Sequence, residues 1–134
     1  MAQKPPFIML VDDDHDFLEI NRYILEMKGY RVGCFYSRES AFKGMCEEKP
    51  DLVVTDLMMD QIDAGFSFSR QIKEDRRFRN VPVIIVTSIS SGRGFDFAPR
   101  SPEELKAMYA DAFFDKPVAP EALLAKIEDL LAGE

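Results

Sequence analysis

Five short apolar runs alternate with segments of helical periodicity, and this alternation constrains the fold more than any other feature of the chain. The runs cover residues 7–11, 32–36, 52–55, 83–86 and 112–114. They lack the polar alternation of half-solvated strands, so each is expected to lie buried on both faces of a parallel sheet. Between them, Phe17, Ile20, Ile24 and Met27 fall on one face of a first helix that Gly29 stops. Ser37 caps a second helix carrying Ala41, Phe42 and Met45, and Phe66, Phe68, Ser69 and Ile72 begin a third. Ser101-Pro102-Glu103-Glu104 reads as a fourth helix start, with a cap, a first-turn proline and a reciprocal capping glutamate. Leu123, Ile127, Leu130 and Leu131 form the stripe of a fifth. The result is β-α repeated five times: an α/β fold, doubly wound, with right-handed crossovers.

Composition narrows what such a fold can do. The 134 residues suit one domain, and a net charge of -7 argues against a nucleic-acid partner. The same charge suits a protein that gathers divalent cations or meets a basic partner patch. No apolar run is long enough for membrane insertion, and the N-terminus lacks a signal-peptide core. Cys34 and Cys46 stand alone without metal-ligand spacing, as free thiols of a reducing, cytoplasmic setting.

In a doubly wound sheet, chemistry sits beyond the carboxyl ends of the strands. The first strand ends in Asp12-Asp13-Asp14, the third in Asp56, the fourth in Thr87-Ser88 and the fifth in Lys116-Pro117. Clustered carboxylates stay ionised only when a cation offsets them, and magnesium suits an all-oxygen site. A lysine adds a movable charge and a threonine a hydroxyl donor. Together these are the requirements of phosphoryl transfer to a carboxylate. Each piece alone has a duller explanation: acids cap helices, Thr87 is an ordinary strand residue, and Lys116 a solvated one. Their appearance at four strand ends in order is what favours the functional reading.

The stretches IMLVDDD, LVVTDLMMD, VIIVTS and FFDKPV resemble the bacterial response-regulator receiver domain of two-component signalling, over nearly the whole chain. The resemblance implies a single receiver domain over residues 1–134, with a five-stranded flavodoxin-like sheet of order 2-1-3-4-5. It makes Asp56 the phosphoacceptor and gives Asp13, Asp56 and the Met58 backbone carbonyl to Mg2+, with Asp12 acting through water. Thr87 and Lys116 would bind the phosphoryl group, Thr87 and Phe113 would move as the switch, and Pro117 matches the proline that follows the lysine. The expected partners are a histidine kinase or phosphotransfer protein and an unknown output protein or domain, reached through the surface of the fourth helix, fifth strand and fifth helix. Such a domain is no enzyme beyond catalysing its own aspartyl phosphorylation and dephosphorylation.

The chain also departs from that pattern. Asp60 replaces a proline, and Asp63-Ala64-Gly65 follows with a residue inserted. Residues 89–100 lengthen the connection to the fourth helix, and Phe95 and Phe97 there are expected to cover core edge or, as the alternative, to offer a partner contact. Tyr109 replaces a glycine common before the fifth strand. Met58 and Ile89 occupy the positions that tune hydrolysis; neither can orient water, so a long-lived phosphoryl group is expected. His15 reads as a solvent-facing residue, Arg76-Arg77-Phe78-Arg79 as a solvated helix end, and the methionines as core filler.

Two other readings fit part of the pattern. A small magnesium-dependent phosphatase of the haloacid-dehalogenase kind would use Asp12, Asp14, Thr87 and Lys116, but leaves Asp56 without a role. A receiver-like interaction module that works without phosphorylation has no need of the full set of acids, Thr87 and Lys116.

Overall fold

In the computed structural model, residues 5–56, 64–87, 103, 109–115 and 118–132 are described, with side chains at 64–67, 87 and 115 left aside. Their elements run β1 (Phe7–Val11), α1 (His15–Met27), β2 (Arg31–Phe35), α2 (Arg38–Glu47), β3 (Leu52–Thr55), α3 (Ala64–Glu74), β4 (Val83–Thr87), β5 (Ala112–Asp115) and α4 (Pro120–Ala132). α4 is the fifth helix of the sequence reading; the fourth, from Ser101, lies outside the described residues. The sheet has the order β2-β1-β3-β4-β5, and each neighbouring pair is parallel.

Because successive strand residues point to opposite faces, each strand feeds two cores. Ile8, Leu10, Val54, Ile84 and Val86 pack with Leu18 and Leu25 of α1 and with Leu123 and Ile127 of α4. Met9, Val11, Val53, Val83 and Ile85 pack with Ala41 and Met45 of α2 and with Phe68 and Ile72 of α3. The strands are therefore apolar without alternation, as a sheet covered on both faces requires. β2 is the exception. It begins one residue earlier than expected, is half-buried throughout, and leaves Tyr36 exposed just beyond its end. It is one of the two edges of the sheet, with β1 alone beside it.

The helix ends follow the sequence signals. Ser37 Oγ accepts from the Ser40 amide, and Gly29 takes φ 95° just past α1. There the Tyr30 amide reaches back to Leu25 O, closing the turn that a left-handed glycine permits.

The face of α1 needs correction. Ile20 and Met27, expected to point inward, are 53% and 69% exposed. The buried stripe is Leu18, Asn21 and Leu25 instead, with Phe17 and Ile24 half-buried beside it. A polar residue holds the centre of that seam because Asn21 Nδ2 donates to Phe17 O at 2.8 Å, satisfying the amide within the helix itself.

Candidate functional site

Parallel strands share one carboxyl rim, and there the acids gather. The Asp12 amide donates to Phe35 O and the Asp56 amide to Val11 O, both at 3.0 Å. These bonds carry the ladder one step past the strand ends and fix the backbone from which two carboxylates project. Asp12 is fully buried, Asp56 is 8% exposed, and Asp13 lies in the open beside them. One carboxylate oxygen from each of Asp12, Asp13 and Asp56 lies within 4.8 Å of the other two.

Anions held this close in a low-dielectric crevice repel one another unless a cation intervenes. An octahedral cation with oxygen bonds of about 2.1 Å spans about 4.2 Å between opposite ligands. The spread of the three carboxylate oxygens is compatible with a small, hard, oxygen-seeking cation.

The third acid of the run does something else. Asp14 is the N-cap of α1, its Oδ1 accepting from the Asp16 and Phe17 amides at 3.1 and 3.2 Å. Its own amide donates to Asp12 Oδ1 at 3.0 Å. The capping explanation of the acidic run thus holds for Asp14, while Asp12 and Asp13 turn to Asp56. A phosphatase built on Asp12 and Asp14 loses its second acid to the helix end.

Thr87 closes β4, its backbone in register with Asp115 at the end of β5. Its side chain, together with Met58, Asp60, Ile89, Lys116, Pro117 and residues 89–100, lies outside what is described. Phe113 is half-buried on β5, opposite Ile85, and packs against the core shared with α2 and α3.

Sequence reasoning missed one feature at this rim. The His15 ring stacks on Tyr36, with centroids 4.4 Å apart and planes inclined by 24°. The two residues leave adjacent strands, β1 and β2, on the same side; nothing in their separation along the chain signals the pairing.

The profile of the response regulator receiver domain matches residues 8–128. The chain belongs to the response regulator receiver domain family. It is 31% identical to response regulator Rre1 of Synechocystis sp., over 98% of this chain and 54% of that protein. It is 35% identical to the transcriptional regulatory protein GltR of Pseudomonas aeruginosa, over 92% of this chain and 48% of GltR. This receiver therefore spans about half the length of the curated relatives it matches. Among solved structures, a CheY-like receiver domain protein from Methanospirillum hungatei superposes with a TM-score of 0.78 at 25% identity, covering 96% of this chain and 95% of the other. Chemotaxis response regulator CheY4 of Vibrio cholerae shares the fold, with a TM-score of 0.79 at 21% identity over 94% of this chain and 98% of CheY4. The family is a signalling family of two-component systems, and the flavodoxin-like order expected from sequence is the one found. Among the described residues, no helix is long and apolar enough to cross a membrane.

Proposed function

We propose that this receiver, a single domain over residues 1–134, is a cytoplasmic phosphoacceptor switch. Asp56 takes a phosphoryl group from the phosphohistidine of a histidine kinase or phosphotransfer protein. One observation carries the reading: Asp56 stands almost buried at the end of the central strand, with the Asp12 and Asp13 carboxylates converging on its own. In the transfer an Asp56 oxygen attacks phosphorus, the P–N bond of the donor breaks, and the imidazole leaves with the electron pair.

Asp13, Asp56 and the Met58 carbonyl would hold Mg2+, with Asp12 behind a water. When bound, the ion neutralises the crowded acids and polarises the phosphoryl oxygens. Lys116 would pair with the phosphoryl group and Thr87 would donate its hydroxyl to it. Movement of Thr87 toward the new charge would open space for Phe113 to turn inward, altering the surface around β5 and α4 that an output partner reads. Since Met58 and Ile89 cannot position a water, the aspartyl phosphate should persist for minutes or longer without a phosphatase.

The donor is a protein, and the exposed side of α1 next to the rim is suited to one. Ile20, Tyr23 and Met27 form an apolar stripe there, each more than half exposed.

Incubation with acetyl phosphate and magnesium, followed by mass spectrometry of the borohydride-reduced protein, tests the reading. Conversion of Asp56 alone to homoserine, the reduction product of its acyl phosphate, and no conversion in D56N, is expected. An unmodified Asp56 under saturating donor would remove the proposed activity, and decay within seconds would remove the claim of persistence.

A further inference from the structure

The basic run after α3 is not simply solvated. Residues 70–79 hold five cationic side chains, Arg70, Lys73, Arg76, Arg77 and Arg79, against two acids, Glu74 and Asp75, in a chain of net charge -7. Pairing uses up the acids nearby. Arg70 Nε meets Glu74 at 3.0 Å, Lys73 Nζ meets Asp111 at 2.9 Å, and Arg77 grips both oxygens of Asp75 through Nε and Nη2 at 3.0 and 2.8 Å. Arg76 and Arg79, both exposed, form no salt bridge among the described residues; the charge of Arg79 only adds to the pull of Arg77 on Asp75.

The segment that presents them is firmly built. The Asp75, Phe78 and Val81 amides donate in sequence to Ile72 O, Asp75 O and Phe78 O at 2.9–3.2 Å. Phe78, which falls between Arg76 and Arg79 along the chain, is buried and meets the Phe42 ring edge-on. The Arg77 guanidinium lies 4.8 Å over the Phe78 ring and donates to Cys46 Sγ at 3.6 Å. The backbone that carries Arg76 and Arg79 is thus fixed, so a ligand here would have only their side chains left to order.

We propose that the turn between α3 and β4 is a docking surface for an acidic peptide segment of a protein partner, its carboxylates taken by Arg76 and Arg79. Arginine forks suit carboxylates, which they bind in pairs of parallel hydrogen bonds. The size and setting of the patch select this occupant. A membrane or a nucleic acid would spread negative charge across the acidic remainder of the molecule, whereas a short peptide meets the arginines alone. The surface lies at the amino end of β4, about 16 Å along the strand from the carboxylate rim. It can be occupied while Asp56 reacts, so it serves recruitment and not the phosphoryl chemistry.

The test is a titration of the 15N-labelled receiver with a glutamate-rich decapeptide, against an uncharged glutamine analogue. Saturable shifts confined to the amides of residues 75–80 and the Arg79 side chain are expected from the acidic peptide only. With R76E/R79E, binding should be about tenfold weaker. Phosphorylation by acetyl phosphate should be unchanged in that variant, which also reports that it folds. Equal shifts from the glutamine peptide, or undiminished binding to R76E/R79E, would overturn the proposal. So would binding of phosphatidylserine vesicles or single-stranded DNA through this turn when the acidic peptide fails to bind.

Discussion

The Asp14 amide donates to Asp12 Oδ1 while the Asp14 carboxylate caps α1, so the helix start and the buried acid of the site are tied through one residue. The rim is thus organised before any ligand arrives, and its cost is electrostatic. Removing one charge from the cluster should relieve it. Asp13→Asn should raise metal-free stability by about 1–3 kcal/mol, the scale of a carboxylate repulsion at this distance in a part-buried site. The wild type, given magnesium at about 100 times its dissociation constant, should gain about 2.7 kcal/mol, and Asp13→Asn much less. Thermal melts with and without magnesium measure both effects. Equal magnesium-induced shifts in the two proteins would remove Asp13 from the metal site.

Tyr109 has φ 58°, the left-handed region that a side chain makes costly. The glycine common at this point before β5 is therefore a backbone requirement, and the tyrosine holds the conformation against its own Cβ. Tyr109→Gly should stabilise the protein by up to about 1 kcal/mol, the steric relief exceeding the flexibility gained by the unfolded chain. Tyr109→Ala, which keeps the Cβ, should not stabilise it. Urea denaturation of the two variants distinguishes conformational relief from loss of the half-exposed ring.

Much of this was legible in the sequence because the sheet is buried on both faces: apolar strands, terminal acids and capping residues each have a local cause. Asp12, Asp13 and Asp56 could be named before their meeting was seen, since parallel strands deliver their ends to one rim. The inward face of α1 was not legible. An apolar pattern would place Ile20 inside, yet Asn21 takes that position by bonding to Phe17 O, a choice that periodicity cannot reveal. The stacking of His15 on Tyr36 escaped for another reason, as it depends on the pairing of β1 with β2 and on no local rule.

The outer face of α1 is apolar and open to a partner. Tyr23 is 65% exposed between Ile20 and Met27, so replacing it disturbs no core. Tyr23→Glu should leave phosphorylation by acetyl phosphate unchanged and slow transfer from the cognate phosphohistidine protein about tenfold or more, the loss of one central apolar contact. Radiolabel transfer assays with the two donors separate docking from chemistry. An equal loss with both donors would place the effect in the fold or the site, and no loss with either would remove α1 from the docking surface.

Cys34 and Cys46 should behave differently towards alkylating reagents. Burial of the Cys34 thiol raises its pKa above the usual value, Arg22 opposes the shift and Glu26 adds to it. The thiolate is the reactive form, so Cys34 should be modified slowly near pH 8, whereas Cys46 is exposed and reached directly. The sign of the linkage follows. The folded chain holds the Cys34 proton more tightly than the unfolded chain, so this stabilising contribution is whole below the unfolded pKa of about 8.5 and declines as pH rises from there through the folded value. Cys34→Ser, which does not ionise in this range, should therefore lose less stability than the wild type between neutral pH and pH values above that limit. Mass spectrometry of a timed iodoacetamide reaction, paired with denaturation at the two pH values, checks both halves. Faster labelling of Cys34 than of Cys46 would show that solvent reaches the β2 edge more freely than its half-buried side chains allow.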